Sequence, residues 1–179
     1  FGEDKIRVLK RAGKLGLGSA YMDGLKLVRG SFVFLMDADL SHHPKYMPVM
    51  IAKQKERDYD VVTGSRYISG GGVYGWNLQR KLTSRVANFI ADTLLNPCVS
   101  DLTGSFRLFK REVFESIMKM MESKGYVFQM EVIVRAHKLH YSIGEVPIVF
   151  VDRMYGKSKM GVNEIVQYLK GVVSLFFSD

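Results

Sequence analysis

Two carboxylates set two residues apart, Asp37 and Asp39, close the apolar run Ser31-Phe32-Val33-Phe34-Leu35-Met36. A run of that length and β-rich composition suits a strand covered on both faces. In open α/β sheets the ligand crevice lies beyond the carboxyl ends of the strands, so Asp37-Ala38-Asp39 would face it. Spaced this way on extended chain, the two carboxylates can share a divalent cation, and hard oxygen ligands suit Mg²⁺ or Mn²⁺. Such an ion neutralises a diphosphate and helps it depart. A solvated turn or a helix cap would use the same two residues, so the pair alone decides nothing.

The overall charge points toward anions. Lys and Arg number 26 against 18 Asp and Glu, a net charge of +8. An acidic membrane face, phosphorylated substrates or nucleic acid would answer such an excess, and so would solubility alone. A nucleic-acid-binding module is the remote alternative. It needs clustered basic residues with a recognition helix or an aromatic platform, whereas here the aromatics lie in apolar runs and the charges are dispersed. No nucleic-acid partner is expected. Cys98 is the single cysteine; it can form no internal disulfide, fits a reducing compartment, and reads as a small half-buried apolar residue. His42 and His43 beside Asp39 suggest zinc, but no third ligand follows at useful spacing, and loop structure is the better reading. His137 and His140 read as surface or packing residues.

The elements that must position these groups follow from periodicity. Ile6–Leu9 is a short β-like run, and Lys10–Gly18 a basic, glycine-bearing loop. Ser19–Val28 reads as a helix ended by Gly30, Ser31–Met36 as a buried strand, Pro44–Arg57 as a helix and Tyr59–Thr63 as the next strand. This alternation is the pattern of a parallel α/β sheet. Ile68–Trp76, with Gly70-Gly71-Gly72 at its centre, reads as a mobile loop. Beyond it come helices over Asn77–Leu95, Arg111–Glu122 and Phe128–Leu139, and a loop and strand over Asp101–Phe109. Ile143–Val151 reads as one strand near a sheet edge because it carries Pro147. Val162–Phe177 is an amphipathic helix. It either covers the core or rests its Leu175-Phe176-Phe177 end on a membrane or a membrane-bound partner. No run reaches the roughly 18 to 20 apolar residues that span a bilayer. Residues 1–179 read as one domain without internal repeats.

Ordered through the chain stand Lys14-Leu15-Gly16-Leu17-Gly18, Met36-Asp37-Ala38-Asp39-Leu40-Ser41-His42-His43-Pro44 and Gly64-Ser65-Arg66-Tyr67. Gly71-Gly72-Val73-Tyr74-Gly75-Trp76, Ser100-Asp101-Leu102-Thr103-Gly104-Ser105-Phe106-Arg107, Gly125–Glu131 and Gly144-Glu145-Val146-Pro147 follow. Each is weak alone, but the ordered set resembles the family 2 glycosyltransferases, in particular the dolichyl-phosphate mannose synthase branch without its own membrane span. The resemblance implies a GT-A-type fold with a mainly parallel sheet and inverting transfer of mannose from GDP-mannose to dolichyl phosphate. The product would feed glycosylation and GPI-anchor synthesis. The enzyme would be a dolichyl-phosphate beta-D-mannosyltransferase at the cytosolic face of the endoplasmic reticulum membrane. A dolichyl-phosphate glucose synthase is the alternative. Small membrane-embedded regulatory subunits and a membrane surface are the implied partners, with the C-terminal helix as candidate contact.

The same resemblance assigns roles. Asp37 and Asp39 hold the Mg²⁺ or Mn²⁺ and the donor phosphates, with Ala38 between them; Ser41 stands where relatives place a further ligand. Lys14, Gly16 and Gly18 belong to the donor pocket. Arg66, Arg80 and Ser84 meet the acceptor phosphate, and Arg153 clamps the reacting phosphates, with Lys157 and Lys159 as helpers. Asp101 sits where other members carry a base; here it either orients the donor sugar or holds the Asp101–Ser105 turn. The family opens with strands that bind base and ribose, and those are expected upstream of Phe1.

Overall fold

The structure, a computed structural model, describes residues 5–123, 125, 127–152 and 162–177, with side chains in the last span from residue 166 onward. Arg153, Lys157 and Lys159 lie outside the described residues. The chain runs α1 (Leu17–Leu25), β1 (Phe32–Leu35), α2 (Tyr46–Arg57), β2 (Val61–Ser65), β3 (Gly72–Tyr74) and α3 (Leu78–Leu95). It continues through β4 (Arg107–Lys110), α4 (Arg111–Met118), α5 (Val127–Lys138), β5 (Ile143–Pro147), β6 (Val149–Val151) and α6 (Val162–Phe177).

The main sheet has the order β1-β4-β2-β5. β2 pairs in parallel with β5, while β4 runs against both β1 and β2. Three of the four strands therefore share one direction, and β4 is the reversed one. The connection before β4 explains the reversal. Residues 100–106 fold over the carboxyl end of β2, where Arg66 bonds Asp101 and the Gly64 N–H bonds the Phe106 carbonyl. A strand that starts there can only return along the sheet in the opposite sense.

Side-chain alternation builds three layers. Val33, Leu35, Val61 and Phe109 join α4 and α5 on one face of the sheet, with Val172 and Leu175 of α6. Phe34, Val62 and Leu108 join Met50, Val146 and Ile148 on the other, against α2. This period-2 split is what a sheet covered on both faces requires.

Three sequence expectations change. Ile6–Leu9 forms no strand, and Ile6, Val8 and Leu9 are exposed; no described strand lies beside them to complete a hydrogen-bond ladder. Ile143–Val151 is two strands instead of one. β6 leaves the main sheet after Pro147 and pairs in parallel with β3, Gly72 opposite Val149. The glycine-rich loop is thus anchored at its centre, and a Cβ on Gly71 would stand 2.6 Å from the Ser65 carbonyl oxygen. Cys98 is exposed, because its backbone takes φ 57° at the turn after α3 while Val99 turns inward.

Candidate active site

The Asp37-Ala38-Asp39 segment leaves β1 at its carboxyl end, as the apolar run requires. Ser105 Oγ donates to Asp37 Oδ2 at 2.8 Å, and the Ser41 N–H donates to Asp39 Oδ1 at 3.1 Å. Both carboxylates are therefore oriented by the chain around them. Leu40, between them and Ser41, takes φ 65°. His42 completes the turn: its Nδ1 accepts the Asp37 N–H at 3.3 Å, its ring stacks 5.0 Å from Phe106, and Phe150 meets it edge-on at 5.4 Å. Burial pushes the His42 pKa down, against the pull of Asp37 and Asp39, in keeping with an imidazole that accepts a proton-bearing group at Nδ1. His43 serves the same loop, accepting the Lys45 N–H.

These carboxylates can host a divalent cation. The buried Ser41 hydroxyl has no hydrogen-bond partner in the structure. With two adjacent carboxylates it forms an all-oxygen donor set, which fits Mg²⁺ or Mn²⁺. Among the described residues no three His, Cys, Asp or Glu side chains gather as a complete shell, so phosphate and water would supply the remaining ligands.

Arg66, expected at an acceptor phosphate, lines a pocket and is held by a carboxylate. Its Nε donates to Asp101 Oδ2 at 2.6 Å, its Nη2 to Asp101 Oδ1 at 2.7 Å and to Thr103 Oγ1 at 2.7 Å, and its own N–H returns to Asp101. The side chains are 7% and 0% exposed, so the pair is cut off from water. Burial alone would raise the Asp101 carboxyl; the Arg66 charge and hydrogen bonds outweigh it and hold the group below the usual carboxylate range. A carboxylate so held is a poor base. Of the two roles left open for Asp101, the geometry favours holding the turn.

That turn joins the two halves of the site. Asp101 and Thr103 grip Arg66, and Ser105 grips Asp37. The Arg66 guanidinium also lies 5.3 Å from the Trp76 ring, and Arg80 stacks on the same ring at 4.1 Å. Arg80 Nη1 binds both oxygens of Asp152, at 3.0 and 2.9 Å, while its Nε is buried without a partner. Ser84 Oγ shares a 2.6 Å hydrogen bond with the Tyr67 hydroxyl. The structure therefore brings Asp37, Asp39, Arg66, Arg80 and Ser84 into one connected region.

The glycine loop behaves differently from expectation. Gly16 caps α1 with φ 96°, a value that suits glycine, and Lys14 is exposed. Gly18, however, is a packing residue: a Cβ there would stand 2.6 Å from the Ser123 carbonyl oxygen and 2.7 Å from the Phe128 ring. It lets α1 approach α5 closely. α1 does border the site, since burial and the Asp37 charge together push the Tyr21 hydroxyl up to about 12.

Residue-by-residue reading missed a second set of positioning groups. Glu145 on β5 accepts from the Ser100 N–H at 3.0 Å and the Ser100 hydroxyl at 2.8 Å, and Ser100 Oγ in turn bonds Ser65 Oγ. Ser65 precedes Arg66 and Ser100 precedes Asp101, so Glu145 pins both sides of the ion pair. Arg107, fully buried, donates to the carbonyls of Gln129 and Leu102, and burial pushes its pKa down to about 10. The ordered motifs contain all of these residues, but nothing in spacing alone assigns the partners.

Comparison with known proteins now adds to this geometry. The model of glycosyl transferase family 2 matches residues 2–118. The chain is 39% identical over 166 residues to a polyprenol monophosphomannose synthase of Mycolicibacterium smegmatis, covering 90% of this chain and 62% of that protein. It is 37% identical over 162 residues to an undecaprenyl-phosphate mannosyltransferase of Micrococcus luteus, covering 88% and 66%. The chain thus spans a little under two thirds of the curated relatives it matches. Among solved structures, it resembles glucosyl-3-phosphoglycerate synthase from Mycobacterium tuberculosis in complex with Mn²⁺, UDP and phosphoglyceric acid. The TM-score is 0.66 at 16% identity, over 98% of this chain and 57% of that one. At that identity the likeness establishes the fold, the GT-A-type α/β architecture.

Proposed function

The chain belongs to glycosyl transferase family 2, and on that premise we propose that it carries most of the site for inverting transfer of mannose from GDP-mannose to a polyprenyl phosphate, dolichyl phosphate in the finest reading. The observation that carries this is the Asp101–Ser105 turn, which ties the paired carboxylates Asp37 and Asp39 to the arginine cluster. Two mannose-transferring relatives on lipid phosphates support the sugar and the acceptor class.

A lipid phosphate is anionic near neutral pH, so its oxygen needs no base. The difficulty is bringing it against a second phosphorylated molecule. Asp37 and Asp39 would hold Mg²⁺ or Mn²⁺, which supplies charge compensation for the leaving diphosphate when bound. Arg80, flat on Trp76 and anchored by Asp152, keeps a permanent positive charge beside the crevice. Arg66 acts from behind, fixing the turn that orients Asp37. The acceptor oxygen attacks the anomeric carbon from the side opposite the diphosphate, so catalysis is positioning and electrostatics. Arg153 and Lys159 belong to the proposal through the family pattern alone, as do Lys14 and Gly16. The cytosolic face of the endoplasmic reticulum and small membrane-embedded subunits remain its proposed setting, with α6 as candidate subunit contact. No described helix is long and apolar enough to cross a membrane.

The experiment is transfer from GDP-mannose, with UDP-glucose in parallel, to dolichyl and undecaprenyl phosphate by the whole protein and its Arg80→Ala variant. The reading expects mannose transfer, and a loss of roughly 100-fold in the variant, about 3 kcal/mol of transition-state stabilisation. Equal losses of thermal stability and of turnover in Arg80→Ala would remove the assigned role, and preferred use of UDP-glucose would overturn the sugar.

A further inference from the structure

Trp76 carries two guanidiniums on one ring. That of Arg80 lies 4.1 Å from the ring centroid and that of Arg66 5.3 Å, both within reach of cation–π attraction. Each cation has its own carboxylate, Asp152 for Arg80 and Asp101 for Arg66, but the two pairs are built differently. Arg66 turns its side-on edge, Nε with Nη2, to Asp101. Arg80 reaches Asp152 through Nη1, and its Nε has no hydrogen-bond partner. The edge that takes a phosphate bidentately is therefore committed in Arg66 and not claimed by Asp152 in Arg80.

The ring is itself fixed by the small β3–β6 sheet. Trp76 is 9% exposed, and Phe150 of β6 meets it at 5.5 Å, edge to face. Gly75, at φ 84°, turns the chain from β3 toward α3, and a Cβ there would stand 3.0 Å from the Asp152 Cβ. The Asp152 N–H donates to the Tyr74 carbonyl at 2.9 Å. One strand pair thus delivers both groups that hold Arg80. Asn77, next in the chain, accepts the Arg80 N–H at 2.9 Å, so the backbone of the arginine is fixed by the neighbour of the ring that meets its side chain.

The same sheet reaches the carboxylates. The Val151 N–H donates to the Ser41 carbonyl at 3.2 Å, and Phe150 packs against His42, whose Nδ1 accepts the Asp37 N–H. The ring that carries Arg80 is tied, through one short strand, to the loop that carries Asp37. An arginine anchored at Nη1 alone can pivot about that contact on a long, rotamer-rich stem. A flat aromatic face removes the pivot by setting the guanidinium plane.

We propose that Trp76 is the positioning residue for Arg80: its ring sets the guanidinium plane so that the Nε edge meets the acceptor phosphate. This rests on the transfer reading above, and its test includes a measurement free of sugar donor. The chain has one tryptophan, so the emission that Trp76→Phe removes from the whole protein is the signal of this ring. Inorganic phosphate, without nucleotide-sugar or lipid, should change that emission saturably, and Arg80→Gln should abolish the response. In transfer assays Trp76→Leu should lose roughly tenfold in kcat/KM for the polyprenyl phosphate, as for a partly desolvated cation–π contact, with KM for GDP-mannose within about twofold of native. Trp76→Phe keeps an aromatic face and should recover most of that loss. A ring that only packs would move thermal stability and the constants for both substrates together. That pattern overturns the inference, as does native kcat/KM in Trp76→Leu or an emission indifferent to phosphate. Should Trp76→Leu fail to fold, the phosphate response and the Trp76→Phe constants decide. Absent mannose transfer with an intact phosphate response would remove the sugar reading and keep the positioning; intact transfer without the response would do the reverse.

Discussion

Replacing Asp101 by asparagine separates a carboxylate that holds the turn from one that orients the donor sugar. The side chain is fully buried and holds three donors of Arg66, itself almost fully buried, with the second buried guanidinium of Arg107 also in its field. Asparagine keeps the shape and one accepting oxygen but removes the charge. Removing one partner of a buried pair leaves the other uncompensated, a loss of about 3–5 kcal/mol. The stacking of Arg66 on Trp76, Tyr67 and Phe150, and its bond to Thr103, soften the loss without neutralising the cation. For a chain of this size that corresponds to a fall in Tm of roughly 6–20 °C.

The pH dependence has a definite sign. The folded pKa of Asp101 is depressed, so its contribution is present above the unfolded value and disappears only as pH falls through the folded one. The Tm gap between native chain and variant should stay constant from neutral pH to about 5 and close only below about 4. Circular dichroism melts across that range make the measurement. Replacing both partners with apolar residues, Arg66→Met with Asp101→Leu, should recover much of the lost stability because no orphan charge remains. A Tm shift below about 2 °C for Asp101→Asn, with turnover abolished, would refute the reasoning and favour orientation of the donor sugar as the role.

Glu145→Gln tests the second set of positioning groups. Burial, with Asp101 nearby, raises the Glu145 pKa against the bonds from Ser100. Its stabilising contribution is therefore present below the ordinary glutamate range and lost as pH rises through the raised value. The native chain should lose stability across that window relative to the variant, and parallel Tm–pH curves would contradict this. Gly18→Ala should destabilise by about 1–3 kcal/mol in denaturant melts, since its Cβ meets backbone and a buried ring; an unchanged midpoint would point back to a phosphate-binding role. Chelation of divalent ions should abolish transfer by the whole protein, with Mn²⁺ or Mg²⁺ restoring it. Asp37→Asn should resist that rescue while unfolding at nearly the native temperature.

Local pattern was enough for several features. The apolar run marked β1 and its carboxyl end, although Phe32 and Met36 stay exposed and the strand is buried chiefly on the Val33–Leu35 face. The period of α2 is visible because one side of that helix meets the core, whereas α5 is buried on every side from Phe128 to Val134. Asn77, whose side chain accepts the Arg80 N–H, marks the start of α3 as an N-cap should. Ordered motifs carried the family, since several short matches in sequence order are far rarer than any one.

What only the tertiary structure decided depends on groups far apart in the chain. Arg66 meets Asp101 thirty-five residues away, and no local spacing says whether an arginine will bind a phosphate or a buried carboxylate. The reversal of β4 follows from where its preceding turn is tied down, and the break of Ile143–Val151 into two strands from the partner each half finds. α3 shows the contrast most clearly. Its 3.6-residue period is written in the chain, but which side faces inward is set by Tyr67, Thr103 and Leu102, whose polar groups claim Ser84 and Asn88. Buried hydrogen-bonding groups must be satisfied, and that demand left the leucines and Phe89 outside.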